Sequence, residues 1–463
     1  MTNMNIHLFQ HNGHTFLFDT NTCTPLEINS AAYSVLQMYK TMTKEEILSN
    51  LSSEYDINEL LGVFEEIEFL KEQGLLSSSP IEFQPVSPSE VSKVKIKQLM
   101  LMVAQDCNLG CTYCFGNQGT YGHKGKMSEE IAYRAIDFVL EQSPNLREFI
   151  VCFFGGEPLI NFPVIEKVVD YCEQVSKSKN VKIYFHMTTN GTILDDRILE
   201  CIKKHNIVVL VSIDGSEEIH DKYRKFRNGK GTFKVIAENV KRMSQHFPVH
   251  ARVTITKYSE SLTHLCKILS EMGIKDIYFS PVTKEPSCNS CKDQNFEDMG
   301  LTDSQLLALE TEFNKIAKEF TEKCNSEEAS YILHNMLKLK MFFSKIKRNC
   351  GCGGELLAIA ADGTLYPCHR FVDLHAFKLG NIWDGLNGES YANFFNEFDR
   401  AREKKCKECW AVNTCAGGCA NEAVVDGCRF GEPNESRCLQ IRVQKEGAVY
   451  LHMKENEKRN EAI

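Results

Sequence analysis

The sequence predicts an α/β chain: a partial barrel of six strand–helix units, (β/α)6, set between an N-terminal winged-helix-like domain and a cysteine-rich C-terminal domain. Three observations carry this. From about residue 95 to 283, apolar strand-like runs alternate with amphipathic helical ones, the pattern of parallel βα units. The first 80 residues instead hold short aromatic-rich runs followed by helical patterns. Between residues 350 and 438 the cysteine density rises sharply.

In the N-terminal domain, residues 1–80, the runs 5–9 and 14–18 flank His11-Asn12-Gly13, a hairpin signal, and Thr24–Ile28 makes a third strand. Helices are predicted over 30–40, over Lys44–Leu51 after a cap at Thr43, and over Ile57–Gln73 ending at Gly74. A plain adaptor is the simplest role for such a module. Ser and Pro between Ser77 and Pro88 mark a linker, placed at 81–94. The barrel strands follow within 95–300: Ile96–Val103, Glu148–Phe154, Val181–Met187, Val208–Ile213, Arg252–Ile255 and Ile277–Phe279. Chemistry in βα barrels sits at the C-terminal ends of the strands. A helical bridge is predicted over 301–347, then the C-terminal domain, 348–463, which ends in a helix. Its Gly-rich connections and few apolar residues predict a segment held together by metal rather than by a sizeable core.

The chain has 463 residues, enough for two to four domains. Its net charge is 53 − 62 = −9 with no basic block, which disfavours a nucleic-acid partner and points to a peptide or small molecule. No apolar run reaches the roughly 18 residues of a membrane span, and the N-terminus lacks a signal-peptide pattern, so a cytoplasmic protein is expected. Twenty cysteines in a reducing compartment point to metal or redox chemistry. Cys23, Cys152, Cys172, Cys201, Cys266 and Cys324 stand alone in apolar or helical surroundings and read as small buried hydrophobes. Cys288, Cys291 and Cys428 receive no role.

The loop after the first barrel strand, Asp106-Cys107-Asn108-Leu109-Gly110-Cys111-Thr112-Tyr113-Cys114, spaces three cysteines as CxxxCxxC. Cubane iron–sulfur clusters used only for electron transfer take four thiolates, so three leave one iron open. A zinc knuckle is the alternative, but the next candidate ligand, His123, lies nine residues on. With Tyr113 before the last cysteine, the loop resembles the signature of the radical S-adenosylmethionine (SAM) enzymes, whose core is a partial TIM-like barrel. That resemblance implies a [4Fe–4S] cluster on Cys107, Cys111 and Cys114, with SAM chelated by the open iron. It further implies one-electron cleavage of SAM to a 5′-deoxyadenosyl radical that takes hydrogen from a substrate. Gly155-Gly156-Glu157-Pro158, one βα unit later, resembles the family segment that binds the methionine amino group; Glu157 and the strand-end carbonyls are acceptors. By the same correspondence Ser212 and Arg224 contact SAM, the arginine fork suiting a carboxylate. Asn190 is a further candidate, although Asn-Gly alone is a common turn.

The C-terminal series Cys352-x10-Gly363-x4-Cys368, then Cys406-xx-Cys409-x5-Cys415-xxx-Cys419 and Cys438, resembles the seven-cysteine SPASM extension, which carries auxiliary iron–sulfur clusters. With Cys350 the count is eight, enough for two four-thiolate cubanes, or three [4Fe–4S] clusters in all. The resemblance implies one auxiliary cluster on Cys406, Cys409, Cys415 and Cys438. It implies a second on Cys352, Cys368 and Cys419, with Cys350 as the uncertain fourth ligand. Zinc-ribbon use of Cys406 to Cys419 is the alternative.

Anaerobic sulfatase maturases have an aspartate after the cysteine that matches Cys368, and here His369 stands there. His369 is therefore the candidate general base. Cys352-Gly353-Gly354-Glu355 with Pro367-Cys368-His369-Arg370-Phe371 looks more like maturases that form cysteine thioether links in ribosomally made peptides, of the sactipeptide or ranthipeptide type. The N-terminal domain resembles the recognition element of such enzymes, which takes a precursor's leader peptide by β-augmentation. The expected partners are a precursor peptide and an electron donor such as flavodoxin or ferredoxin. The alternatives are sulfatase maturation, carbon–carbon crosslinking, or a non-catalytic iron–sulfur or zinc protein.

Overall fold

The computed structural model describes residues 5–76, 82–283, 299–323, 346 and 349–461. Strands β1 (Ile6–His11) and β2 (His14–Asp19) pair antiparallel across Asn12-Gly13, both in the left-handed region at φ 51° and 81°, and β3 (Thr24–Glu27) adds to β2. Helices α1 (Ser30–Met38), α2 (Lys44–Leu51) and α3 (Ile57–Glu72) follow, capped by Asn29, Thr43 and Asp56. Thr43 and Glu46 close a capping box that satisfies two orphan backbone donors.

Period-2 alternation gives this small sheet two apolar faces. Leu8, Leu17 and Leu26 pack with the three helices. Phe9, Phe16 and Phe18 join the main core of the molecule. This face meets the cysteine-rich region: the His7 ring stacks on Trp410 at 4.2 Å, its Nε2 lies 2.8 Å from Glu446 Oε1 of the C-terminal helix, and the Phe16 ring meets Tyr450 of that helix edge-on. The sheet is thus clamped between its own helices and the cysteine-rich region.

The barrel runs β4 (Gln98–Gln105), β5 (Gly125–Lys126), α4 (Glu129–Gln142), β6 (Glu148–Gly155), α5 (Phe162–Lys179), β7 (Lys182–Thr189), α6 (Asp196–Lys204), β8 (Val208–Ser212), α7 (Glu217–Tyr223), α8 (Phe233–Ser244), β9 (Val249–Ile255), α9 (Leu262–Glu271), β10 (Ile274–Pro281) and α10 (Asp303–Lys323). The parallel order is β10-β9-β8-β7-β6-β4, with β5 set antiparallel on the end of β4. The central β4 is buried on both faces, from Leu99 to Gln105, whereas strands farther out alternate. In β9, Val249, Ala251, Val253 and Ile255 are buried while His250, Arg252 and Thr254 occupy the other face. The predicted strand edges lie within a few residues of these. Of the helical bridge, only the part up to Lys323 is described; the remainder lies outside the described residues, as do Cys288, Cys291 and Cys324. Cys23, Cys152, Cys172, Cys201 and Cys266 are buried.

The C-terminal region differs from the expectation of a metal-held segment without a core. Its first strand, β11 (Leu356–Ile359), pairs parallel with β4 and carries the barrel sheet on through antiparallel β12 (Thr364–Tyr366), β13 (Gly380–Asn381) and β14 (Gly385–Leu386). Phe371, Phe377, Phe394, Phe398 and Phe430 then form a buried edge-to-face cluster against α11 (Gly388–Lys407). Beyond it come α12 (Val412–Cys415), the short pair β15 (Val424–Val425) and β16 (Arg429–Phe430), and the long α13 (Glu435–Glu461). Among the described residues no helix is long and apolar enough to cross a membrane.

Candidate active site and cysteine centres

The CxxxCxxC loop leaves the C-terminal end of β4, and the ends of β6, β7 and β8 converge on it. Close approach here depends on glycine. A Cβ at Gly156 would stand 2.3 Å from the Asp106 carbonyl oxygen, and one at Gly119, already at φ 87°, would stand 2.5 Å from Cys107 Cβ. Gly155, at φ 140°, lies against the carbonyl of Ala104. Cys107 Sγ accepts from Leu109 N at 3.4 Å and from Asn190 Nδ2 at 3.7 Å, so Asn190 does reach the cysteine loop. Arg227 Nε donates to the Cys107 carbonyl at 2.7 Å.

Glu157 also braces the strand ends. It is fully buried, and its carboxylate accepts from Asn190 N at 2.6 Å, Thr189 Oγ1 at 2.8 Å and Leu159 N at 3.0 Å. The carboxylate ties the end of β6 to the end of β7, with two of the three donors on Oε1 and one on Oε2. Burial, against these three hydrogen bonds, pushes its carboxyl up to about 7.

Sequence reasoning missed Asp214 as a partner of the motif tyrosine. The Tyr113 hydroxyl donates to Asp214, which also accepts from Thr254 N at 2.9 Å, and Arg224 Nη1 donates to the same hydroxyl at 2.9 Å. All three residues are buried, and burial is the largest influence on each, raising the Tyr113 hydroxyl and the Asp214 carboxyl. Among the described residues Arg224 Nε is buried with no hydrogen-bond partner. Ser212 closes β8, in register with Arg252 of β9. The signal for Asp214 lay in the run Ser212-Ile213-Asp214-Gly215, which reads equally well as a turn.

His369 is partly buried between the Phe154 and Phe115 rings, at 4.5 and 5.4 Å, and its Nδ1 lies 3.1 Å from Met100 Sδ. Burial, then Arg370 and Arg252, pushes its imidazole down to about 3. It is neutral at pH 7, the form able to accept a proton, and its depressed pKa makes it a weak base. Arg370 was also overlooked. Its Cζ lies 5.7 Å from the Phe115 ring, which follows Cys114, and its Nη1 donates to Cys419 Sγ at 3.6 Å.

The remaining thiols fall into two groups. Cys350, Cys352, Cys368 and Cys419 act electrostatically on one another, and Cys352 shares a hydrogen bond with Cys368. Cys406, Cys409, Cys415 and Cys438 line one cavity of about 50 Å³ with Arg437 and Arg442, and Cys419 of the first group borders it too. Cys428 is exposed and joins neither. Desolvation raises Cys107 to about 11 and Cys114, Cys350 and Cys406 to about 12, so each must shed a proton to bind metal.

Two family models match the chain: the radical SAM superfamily over residues 101–271 and the iron–sulfur cluster-binding SPASM domain over 350–410. The chain is 36% identical over 291 residues to an uncharacterized protein of Methanocaldococcus jannaschii, covering 62% of this chain and 90% of that one. The chain belongs to the radical SAM superfamily. It is also 28% identical over 337 residues to a cysteine-type anaerobic sulfatase-maturating enzyme of Clostridium perfringens, covering 69% of this chain and 88% of the relative. Among solved structures it matches native anSMEcpe with bound AdoMet (TM-score 0.63, 22% identity, 78% of this chain and 99% of that one). It likewise matches Streptococcus suis SuiB bound to precursor peptide SuiA (TM-score 0.52, 15% identity, 94% of this chain and 99% of that one).

Membership of this superfamily and the SPASM domain imply SAM and [4Fe–4S] clusters, and the residues present fit them. Arg224 offers an unpaired buried donor beside the cysteine loop, and the glycines leave backbone exposed against it. Among the described residues no three His, Cys, Asp or Glu side chains converge as they would on a single ion. A cubane asks for no such point, because its thiolates attach to separate irons.

Proposed function

We propose that this radical SAM enzyme installs cysteine thioether links in a ribosomally made, Cys-rich precursor peptide. Bound to Cys107, Cys111 and Cys114, the cluster and SAM would supply the hydrogen-abstracting radical. Asn190, Ser212 and Arg224 would orient SAM, with Tyr113 and Asp214 holding the arginine. Each link removes one hydrogen atom from an acceptor carbon and one proton from a peptide thiol. One surplus electron then leaves, equal to the one consumed in cleaving SAM. The initial electron would come from flavodoxin or ferredoxin in the cytoplasm.

Cys350 carries this reading. It is the most exposed of its group of four, on a backbone at φ 46°. A cluster corner held by that residue is the one a peptide thiolate could take. The N-terminal sheet supports the reading through its packing on α13, which gives a leader peptide bound there a fixed position relative to the auxiliary cysteines. The likeness to SuiB, solved with its precursor peptide, extends over 94% of this chain.

The test is anaerobic reconstitution with iron and sulfide, then SAM, a reductant and the Cys-rich peptide encoded beside the gene. Loss of two hydrogens per link, with the linked thiols no longer alkylated, is the expected result. An unchanged peptide mass while SAM is cleaved overturns it. The likeness to the Clostridium perfringens enzyme favours a second reading, maturation of a sulfatase. Oxidation of a sulfatase-derived peptide in place of the precursor would establish that one.

A further inference from the structure

One lumen side chain has no place in the site described so far. Arg252 lies in register with Ser212 on β8 and Tyr278 on β10. It stands on the strand face opposite the buried Ala251 and Val253, and it is solvent-accessible although protein surrounds it. Burial, then Arg370 and Arg437, lowers its pKa. Three guanidinium groups therefore share this space.

The carboxylates around it are committed. Glu422 takes Arg370 Nη1 at 3.3 Å and Arg437 Nε at 3.2 Å. Asp276 holds His250 at 2.8 Å, and Asp214 holds Thr254 N and Tyr113. Among the described residues the Arg252 guanidinium has neither a hydrogen bond nor an ion pair; only its backbone is engaged, its carbonyl accepting from Ile213 N at 3.1 Å. Among the described residues no carboxylate offsets these neighbouring like charges at Arg252, its side chain is open to solvent, and a bidentate carboxylate is the partner its planar fork fits best.

We propose that Arg252 receives the side-chain carboxylate of an Asp or Glu in the peptide substrate and thereby selects which residue enters the barrel. This rests on the peptide-maturase reading above. The SAM carboxylate has its own candidate in Arg224, on the Tyr113 side, whereas Arg252 neighbours Arg370, which reaches Cys419. Arg252 therefore lies between the two cysteine centres, where a substrate must pass. Its role is specificity.

The experiment compares the wild-type chain, Arg252→Lys and Arg252→Gln, all iron-loaded, on the precursor peptide encoded beside the gene. Versions of that peptide with single core Asp→Asn or Glu→Gln changes complete the set. Arg252→Gln is expected to lower modified peptide per 5′-deoxyadenosine formed about tenfold, with Arg252→Lys between it and wild type. One amide peptide should show the same loss with the wild-type chain, and combining the two changes should add little. SAM cleavage falling in proportion to peptide modification would overturn the proposal, since Arg252 would then serve SAM or the fold. Additive losses would overturn it too. If wild type modifies no peptide, the maturase reading fails by itself. The affinity of the chain for the acid and amide peptides then decides for Arg252, and equal affinities, or a preference that survives Arg252→Gln, overturn it.

Discussion

The cysteine loop at Cys107–Cys114 and the cysteine group at Cys406–Cys438 are both candidate cluster sites, yet the chain builds them in opposite ways. The first hangs from the ends of parallel strands whose other residues form the main core. Buried partners brace it: Glu157 ties two strand ends together, and Asp214 and Arg224 hold Tyr113. The second lies where regular structure is thinnest, between the end of α11, the four-residue α12 and two two-residue strands. Its cavity is lined by the thiols themselves. Buried hydrogen bonds and strand packing shape the first site, whereas at the second fewer such contacts fix the thiols, so metal is expected to contribute more to its form.

The largest effect that would sharpen this contrast is the joint change Cys107→Ala, Cys111→Ala and Cys114→Ala. It should abolish SAM cleavage, measured as 5′-deoxyadenosine, and remove about four irons of roughly twelve per chain. The barrel should stay folded. SAM cleavage at the wild-type level would break the assignment. Hydrogen exchange slowed as in wild type over 98–213 separates loss of the cluster from loss of the fold.

Iron removal comes next. Stripping iron and sulfide under reducing conditions should leave β4 to β8 protected while amides across 406–438 exchange many-fold faster. Uniform exchange along the chain would show that both sites rest on metal, or that neither does. The aromatic cluster of Phe371, Phe377, Phe394 and Phe430 sets the boundary: residues packed on it should follow the barrel.

The same contrast explains what was legible in the sequence. Alternating apolar runs located the six parallel strands because period 2 and buried faces are local signals. The cysteine spacings gave both metal-binding regions because ligands must recur at fixed short intervals. The spatial grouping of Cys350 with Cys419 depended on resemblance, since nothing local joins residues 69 positions apart. Glu157 was assigned to a ligand because a conspicuous acid in a Gly-rich turn looks like a binding group. Its three donors come from Leu159 nearby and from Thr189 and Asn190 on another strand, a tertiary fact. Arg252 sits in an ordinary strand pattern, and only the folded barrel surrounds it with Arg370 and Arg437. The aromatic core of the C-terminal region escaped notice because its phenylalanines are spread over some 60 residues with no common period.

Glu157 gives the smallest and most discriminating test of how the first site is braced. Its folded carboxyl titrates at about 7, against 4.5 for the ordinary group, because burial outweighs the three hydrogen bonds that favour its charge. Below pH 4.5 the carboxyl is protonated in the folded and unfolded states, and it costs the fold nothing. As the pH rises from 4.5 to 7 the unfolded chain ionises first, so stability falls, by at most about 3 kcal/mol, and it levels off above 7. Glu157→Gln cannot ionise. It should lower stability below pH 5 by about 1 to 2 kcal/mol, because one amide oxygen serves three donors less well than a carboxyl does. The difference between the two proteins, from urea unfolding of the iron-free barrel, should then shrink or reverse by pH 7.5. A difference independent of pH would mean that Glu157 is already ionised when folded. The strand ends would then be held by a full charge at the first site too, and bracing by burial would no longer distinguish it from the second.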